Sequence, residues 1–266
     1  MRFNHIINIL LICYYVAAPS FLSAVYADRP VYVIGAADNP PFEFINHDGI
    51  EAGFAVDILR RAASEKNFIY KIELFQSDKF FKEAEDKKAD ILLGVIPGTV
   101  EGYILSRELF ALNPRISVLK NSPVRNTGDL ENKRIVFTGS RLLYEIFSRD
   151  FEKRYNMRLF YHENYEDAVK MVYSGAFDAM IDILFNGLSS ISSSEKSKLT
   201  SVPVSWDEYK YSFGVKKENK ELINQINDAL DQIDKSGYYN YTFKKWFPYA
   251  AYDNPGGNIN LYAFAA

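Results

Sequence analysis

The sequence predicts an α/β protein made of two similar units in tandem. Apolar strand-like runs alternate with segments whose apolar residues recur at helical spacing, the pattern of parallel strands joined by helical crossovers. That alternation occurs twice, on either side of a turn-rich stretch, Asn121 to Lys133, which contains Pro123 and Gly128. The length, about 240 residues after an N-terminal leader, suits two medium domains with ample core.

In the first unit Val31 to Ala36 reads as a strand, and Phe54, Ile58, Leu59 and Ala62 follow helical spacing. Ile69 to Phe75 alternates like a strand, Asp78 to Lys88 reads as a short helix, and Asp90 to Val95 as another strand. Ile116 to Leu119 closes the unit, and residues 121–133 read as the crossover between lobes. In the second unit Arg134 to Thr138, Arg158 to His162 and Ala179 to Ile183 are strands. Leu143, Ile146, Phe147 and Phe151 line one helix; Tyr165, Ala168, Val169 and Val172 line the next, with Asn164 as its N-cap. Beyond a serine-rich stretch, Ser189 to Ser197, two strands are expected at Lys198 to Trp206 and Tyr209 to Val215, the second returning the chain to the first lobe. Asn219 to Phe247 is helical, broken at Gly237, and residues 251–266 form a Gly/Pro/Asn-rich tail. The expected division is 28–119 plus 210–250 for lobe one and 120–209 for lobe two. Two such lobes form a cleft at the carboxyl ends of their strands, where open α/β sheets bind small ligands.

Residues 1–27 read as a secretory signal peptide: Arg2 and His5 precede an apolar run, Ile6 to Ala18, and Val25 and Ala27 offer small residues before a cut at Asp28. The run is short for a bilayer span and contains Asn8. Cys13, the one cysteine, lies within this leader, and Leu10-Leu11-Ile12 lacks the small residue expected before a lipidated cysteine. The exported chain therefore has no disulfide and no thiol chemistry. With a formal net charge of −3 and interspersed charges, nucleic acid is not an expected partner. A soluble periplasmic monomer is the expectation, with no cofactor and no metal.

Several ordered motifs carry a family resemblance. Asn39-Pro40-Pro41-Phe42-Glu43-Phe44, Asp48-Gly49 and Gly53-Phe54-Ala55-Val56-Asp57-Ile58 resemble the N-terminal signature of family 3 extracellular solute-binding proteins. Ala89 to Gly94, Asp129-Leu130 with Lys133 to Val136, Tyr173 to Ala179, and Tyr238 to Trp246 resemble later elements of the same family, in the same order. The resemblance implies a periplasmic-binding-protein-like fold: two α/β lobes joined by two crossing strands (type II). It also implies capture of a small polar solute by hinge closure, normally for delivery to an ABC permease. Asp57 matches a family position, with an expected structural role in orienting the first loop.

The resemblance also marks two anchors. In amino-acid-binding members an arginine after a T-x-x-R turn clamps the ligand carboxylate through two parallel hydrogen bonds. Here that run is Thr99-Val100-Glu101-Gly102, and glycine replaces the arginine. The second anchor is an acid five residues after the aspartate of the Asp-Ala pair; from Asp178 that position is Ile183, and Asp182 stands one earlier. One residue in a strand turns a side chain to the other face, so Asp182 is either a pocket acid reached through a bulge or a strand-end structural acid. Asn39 occupies the place of the aromatic that often stacks on the ligand. Ser140 and Arg141 open the lobe-two helix, where free N–H groups and the guanidinium could hold an anion. Arg107 and Arg115 are weaker candidates for that role. Phe42, Phe54 and Phe75 are candidate cleft walls, with core packing as the alternative. The candidate ligand-binding set is thus Asn39, Phe42, Phe54, Phe75, Thr99, Ser140, Arg141 and Asp182.

Enzymes of the same fold, such as dehydratase-like proteins, need a positioned acid or base. After the leader only His47 and His162 are available, the first in an expected hairpin turn and the second at a strand end, and no hydrolase, metalloprotease or nucleotide motif is present. A non-catalytic receptor is expected. The alternative is a sensory or degenerate receptor that binds little.

Overall fold

β-Branched and aromatic runs bounded by Gly, Asn and Pro become strands here, and some of the helices begin or end at a capping residue. The computed structural model describes residues 30–76, 79–86, 89–112, 114–182, 191–202 and 209–248. The expected signal peptide, the tail, Ile183 and part of the serine-rich stretch lie outside the described residues. In chain order, the first elements are β1 (Val31–Ala37), a small hairpin of β2 (Phe44–Ile45) and β3 (Glu51–Ala52), and α1 (Phe54–Lys66). They are followed by β4 (Ile69–Phe75), α2 (Phe80–Glu85), β5 (Ile91–Val95), β6 (Tyr103–Leu105) and β7 (Phe110–Leu112). Next come β8 (Arg115–Leu119), β9 (Arg134–Thr138), α3 (Arg141–Tyr155), β10 (Arg158–His162), α4 (Tyr165–Tyr173) and β11 (Ala179–Asp182). Last are α5 (Ser193–Lys196), β12 (Leu199–Val202), β13 (Tyr209–Lys216), α6 (Lys220–Lys235) and α7 (Tyr238–Trp246).

Caps explain several boundaries. Ser140 and Asn164 accept from Leu143 N and Asp167 N at the starts of α3 and α4. Asn67 and Asn156 close α1 and α3 in the left-handed conformation that asparagine tolerates. Gly237, at φ 75°, breaks the C-terminal helical stretch into α6 and α7, as its sequence position predicts.

The strands form two sheets. The first runs β4-β1-β5-β13-β6, with β7 also pairing with β13; the second runs β10-β9-β11-β8-β12. Within each, the core strands are parallel: β1 with β4 and β5, and β9 with β10 and β11. The chain crosses between sheets twice, between β7 and β8 and between β12 and β13. The first crossing corrects an expectation. The sequence position of β8 places it in lobe one, but it pairs antiparallel with β11 and β12 in the second sheet. Alternating Ile116 and Val118 fit either sheet, so local pattern does not specify the partner. The turn-rich segment is instead an internal turn of lobe two, Thr127–Leu130, capped reciprocally by Asn126 and Asp129. The short strands β6 and β7 carry too little periodicity to be predicted.

The helices α1 and α6 bury Phe54, Ile58, Leu59, Leu222, Ile226 and Leu230 in a core shared with Ile34, Ile91 and Leu93 of the first sheet. The opposite face holds Phe80 and Ala84 of α2 against Ala37, Phe75 and Leu92. At the crossing, Phe42 stacks on Phe110 of β7 and Tyr211 of β13, with ring centroids 5.1 and 4.9 Å apart. Phe54 meets Phe110 edge-on at 5.4 Å, and Phe247 closes the group at 5.4 Å from Phe42. Asp57 lies 3.6 Å from the Arg60 guanidinium on its own helix, and Lys245 Nζ and Trp246 Nε1 donate to it at 2.7 and 2.8 Å, tying α1 to α7.

Beneath the aromatic stack lies a buried polar trio. Tyr211 Oη donates to Glu43 Oε2 at 2.6 Å, and Asn39 Nδ2 donates to Glu43 Oε1 at 3.0 Å. Burial outweighs both hydrogen bonds and pushes the Glu43 carboxyl from 4.5 up to about 8. Gly94 makes room for the trio. It sits at φ 73°, and a Cβ there would come within 2.5 Å of Tyr211 Oη and 2.9 Å of Glu43 Oε1.

Two predictions test this nucleus. Phe42→Ala should lower the unfolding free energy by about 3–5 kcal/mol, read by urea denaturation. Because the folded chain keeps the Glu43 proton up to about pH 8, whereas the unfolded chain releases it near 4.5, this carboxyl's contribution to stability is full below pH 4.5 and is lost as pH rises to about 8. Glu43→Gln should therefore match the wild type near pH 4 and exceed its stability near pH 8, by on the order of 3 kcal/mol. Equal pH dependence in the two proteins would contradict a neutral Glu43.

Candidate functional site

The ends of β1, β4 and β5 meet lobe two just past the end of β9. β1, β4 and β5 finish at Ala37, Phe75 and Val95; β9, β10 and β11 finish at Thr138, His162 and Asp182. The contact between these ends is direct. Leu142, in the first turn of α3, has no exposed surface and shares a buried cluster with Ala37, Phe75, Phe80, Val95 and Tyr103 of lobe one. Ile146, one turn on, packs against the same cluster, as does Val100.

On the lobe-one side, Asn39 is fully buried and turned inward onto Glu43, away from the cleft. Phe42 and Phe54 also have no exposed surface and are enclosed by other aromatic rings. They are core residues here rather than cleft walls, because the loop after β1 folds back onto β7 and β13. Phe75 differs: it ends β4 and lies in the cluster that receives Leu142. Thr99 closes the turn after β5, its Oγ1 donating to Ile96 O at 2.7 Å. Gly102 adopts φ 80°, and its carbonyl accepts from Lys217 N at 3.0 Å. Gly102 thus holds a backbone conformation that disfavours any side chain.

On the lobe-two side, the Ser140 hydroxyl is occupied in capping α3. Arg141 lies along the helix rather than across the cleft. It pairs with Glu145 at 2.7 Å, and its guanidinium sits 5.3 and 5.0 Å from the ring centres of Tyr144 and Tyr161. Asp182 is 4% exposed and stands in register with Thr138 and Arg115. Alternation places it on the same face as Met180, the face covered by α4. There it neighbours Tyr165, whose hydroxyl is pushed up by burial and by the Asp182 charge, with Arg115 acting in the opposite direction. The Tyr165 hydroxyl is buried with no hydrogen-bond partner among the described residues, while Arg115 Nε donates to Ser201 Oγ at 2.7 Å.

The five candidate polar residues are therefore dispersed: Asn39 inside lobe one, Thr99 in the turn after β5, Ser140 and Arg141 at the start of α3, and Asp182 beneath α4. Phe75 and the residues following Ser140 are brought together across the cleft. The sequence candidates do not include Leu142 or Tyr165. The signal for Leu142 was available as its i, i+4 spacing with Ile146; Tyr165 read simply as one of a helix's apolar positions. Arg107 is a clip, its guanidinium 3.2 and 2.6 Å from Asp231 and Asp234 of α6. His47 lies exposed in the β2–β3 turn, and His162 Nδ1 meets the backbone of Asn164. Among the described residues no His, Cys, Asp and Glu group could hold a metal ion, and no helix is long and apolar enough to cross a membrane.

Comparison with known proteins places this geometry. The chain is 24% identical over 214 residues to the amino-acid-binding protein AabA of Dichelobacter nodosus, covering 78% of this chain and 84% of that protein. The crystal structure of a histidine kinase sensor domain with similarity to periplasmic binding proteins superimposes with a TM-score of 0.62 at 20% identity, over 82% of this chain and 96% of that one. The substrate-binding protein of an amino acid ABC transporter does so with a TM-score of 0.60 at 22% identity, over 82% and 100%. These structural likenesses show a type II periplasmic-binding fold. The model of the bacterial extracellular solute-binding proteins, family 3, matches residues 31–249, and the chain belongs to that family.

Proposed function

We propose that this chain is an exported periplasmic receptor that captures a small polar solute between its lobes for an ABC importer, acting as a monomer and without catalysis. The observation that carries this reading is the family match across nearly all of the described chain, joined to the burial of Leu142 of lobe two in the cluster that holds the ends of β1, β4 and β5. The curated relatives bear the names of amino-acid-binding proteins. The grip on the solute, however, differs from the family's standard one. The left-handed Gly102 offers no clamp for an α-carboxylate. The remaining candidates are Thr99 and Phe75 from lobe one, and Ser140, Tyr165 and Asp182 from lobe two. Of these, the Tyr165 hydroxyl has an unused donor. A ligand recognised mainly by hydrogen bonds to neutral donors and by apolar contact fits this set better than a standard α-amino acid.

A second reading is a sensory or degenerate receptor with little affinity for any solute. It is favoured by Leu142, which is fully buried at the place between the lobes where a solute would sit.

A thermal-shift screen against amino acids, polyamines, small carboxylates and sugars separates the two. A solute at 100 times its Kd should add about 2.7 kcal/mol, roughly 5 to 10 °C in Tm for a chain of this size. A large shift with an ordinary α-amino acid would refute the proposed loss of the carboxylate clamp, and silence across the screen would favour the second reading. Gly102→Arg should cost roughly 1–2 kcal/mol through its left-handed backbone and confer no amino-acid binding. A folded, undiminished variant that binds an amino acid in calorimetry would show that the clamp site is intact.

A further inference from the structure

We infer that α3 carries a built-in wedge, Leu142 with Ile146, that holds the two lobes closed when no solute is present. The inference takes the location of the cleft from the receptor reading, but it does not require that any solute bind.

The helix has two apolar stripes. Leu143, Phe147 and Phe151 face the second sheet and join Ile135, Phe137 and Ile181 in its core. Leu142 stands beside that stripe and packs into the lobe-one cluster of Ala37, Phe75, Phe80 and Val95, and Ile146, four residues on, lies between the two and packs against both. A helix that served only its own lobe would present polar residues along that second line. The other end of the contact is also secured. Tyr209 of β13, where the chain returns to lobe one, meets Phe147 edge-on at 4.3 Å, and its hydroxyl donates to Asp150.

Separating the lobes would place Leu142 and Ile146, together with Phe75 and Val100, in water. That exposure opposes opening, whatever else occupies the cleft. In a receptor closed by its ligand, the bridging solute supplies the differential affinity for the closed state. Here the isobutyl group of Leu142 supplies part of it in advance. A solute gains less from closure and has to share or displace the wedge.

The test uses small-angle scattering on the purified chain after any carried-over solute has been removed by unfolding in guanidinium and refolding. The wild type should give a radius of gyration that matches the closed arrangement. Leu142→Ser should raise it and should speed hydrogen exchange at the amides of residues 139–143. Val169→Ala, a core truncation remote from the cleft, should weaken the fold and leave the radius unchanged. Should Leu142→Ser fail to fold by circular dichroism, Ile146→Ser, at a partly buried position, carries the same expectation. Equal radii for the wild type and the folded wedge variant would overturn the inference, as would an open wild type. An open wild type with a binder in the thermal screen sinks the wedge and leaves the receptor. A closed wild type with no binder sustains the wedge and sinks the transport reading.

Discussion

The rest of the architecture depends on the contact of the loop after β1 with the returning strand β13. Phe42 stacks on Tyr211 and Phe110, and directly beneath them Glu43 and Tyr211 share a hydrogen bond sealed from water. The three residues come from a loop, from the strand leaving lobe one and from the strand re-entering it. The contact therefore joins both crossings to the lobe they serve. It also explains the inward turn of Asn39. A buried carboxyl must be satisfied or neutral, and the Asn39 amide is one of its two side-chain donors. A residue in the place of a ligand-stacking aromatic is thereby committed to the hinge.

That commitment shapes the cleft. With Asn39 turned inward, Phe42 and Phe54 enclosed and Gly102 in a left-handed turn, lobe one presents chiefly apolar side chains, Phe75 and Val100 among them, to its partner. Lobe two answers with Leu142 and Ile146, while its polar groups lie to either side: Arg141 along α3, Asp182 and Tyr165 under the start of α4. The cluster shared by the two lobes is apolar, and burial of this kind is non-directional and tolerant of sliding.

Much of the fold was legible in the sequence because its signals are local. Alternation in Ile69 to Phe75, the caps at Ser140 and Asn164, and the break at Gly237 each act over a few residues, and each predicted element formed. The site was far less legible. Register alone raised the question of Asp182, and its answer needed the second sheet: Asp182 follows Met180 onto the α4 face. Phe42 and Phe54 stand beside family motifs, yet only the packing of β7 and α7 around them shows that they belong to the core.

The sequence by itself determined the family, the two α/β units and most element boundaries, because these are properties of residue identity and short-range spacing. The tertiary structure decided which sheet holds β8, where Asp57 and Arg107 find their partners, that Arg141 lies along its own helix, and that Leu142 is buried among lobe-one residues. Each of these depends on which surfaces meet across long separations in the chain. An amphipathic pattern states that a face must be buried, but not against what.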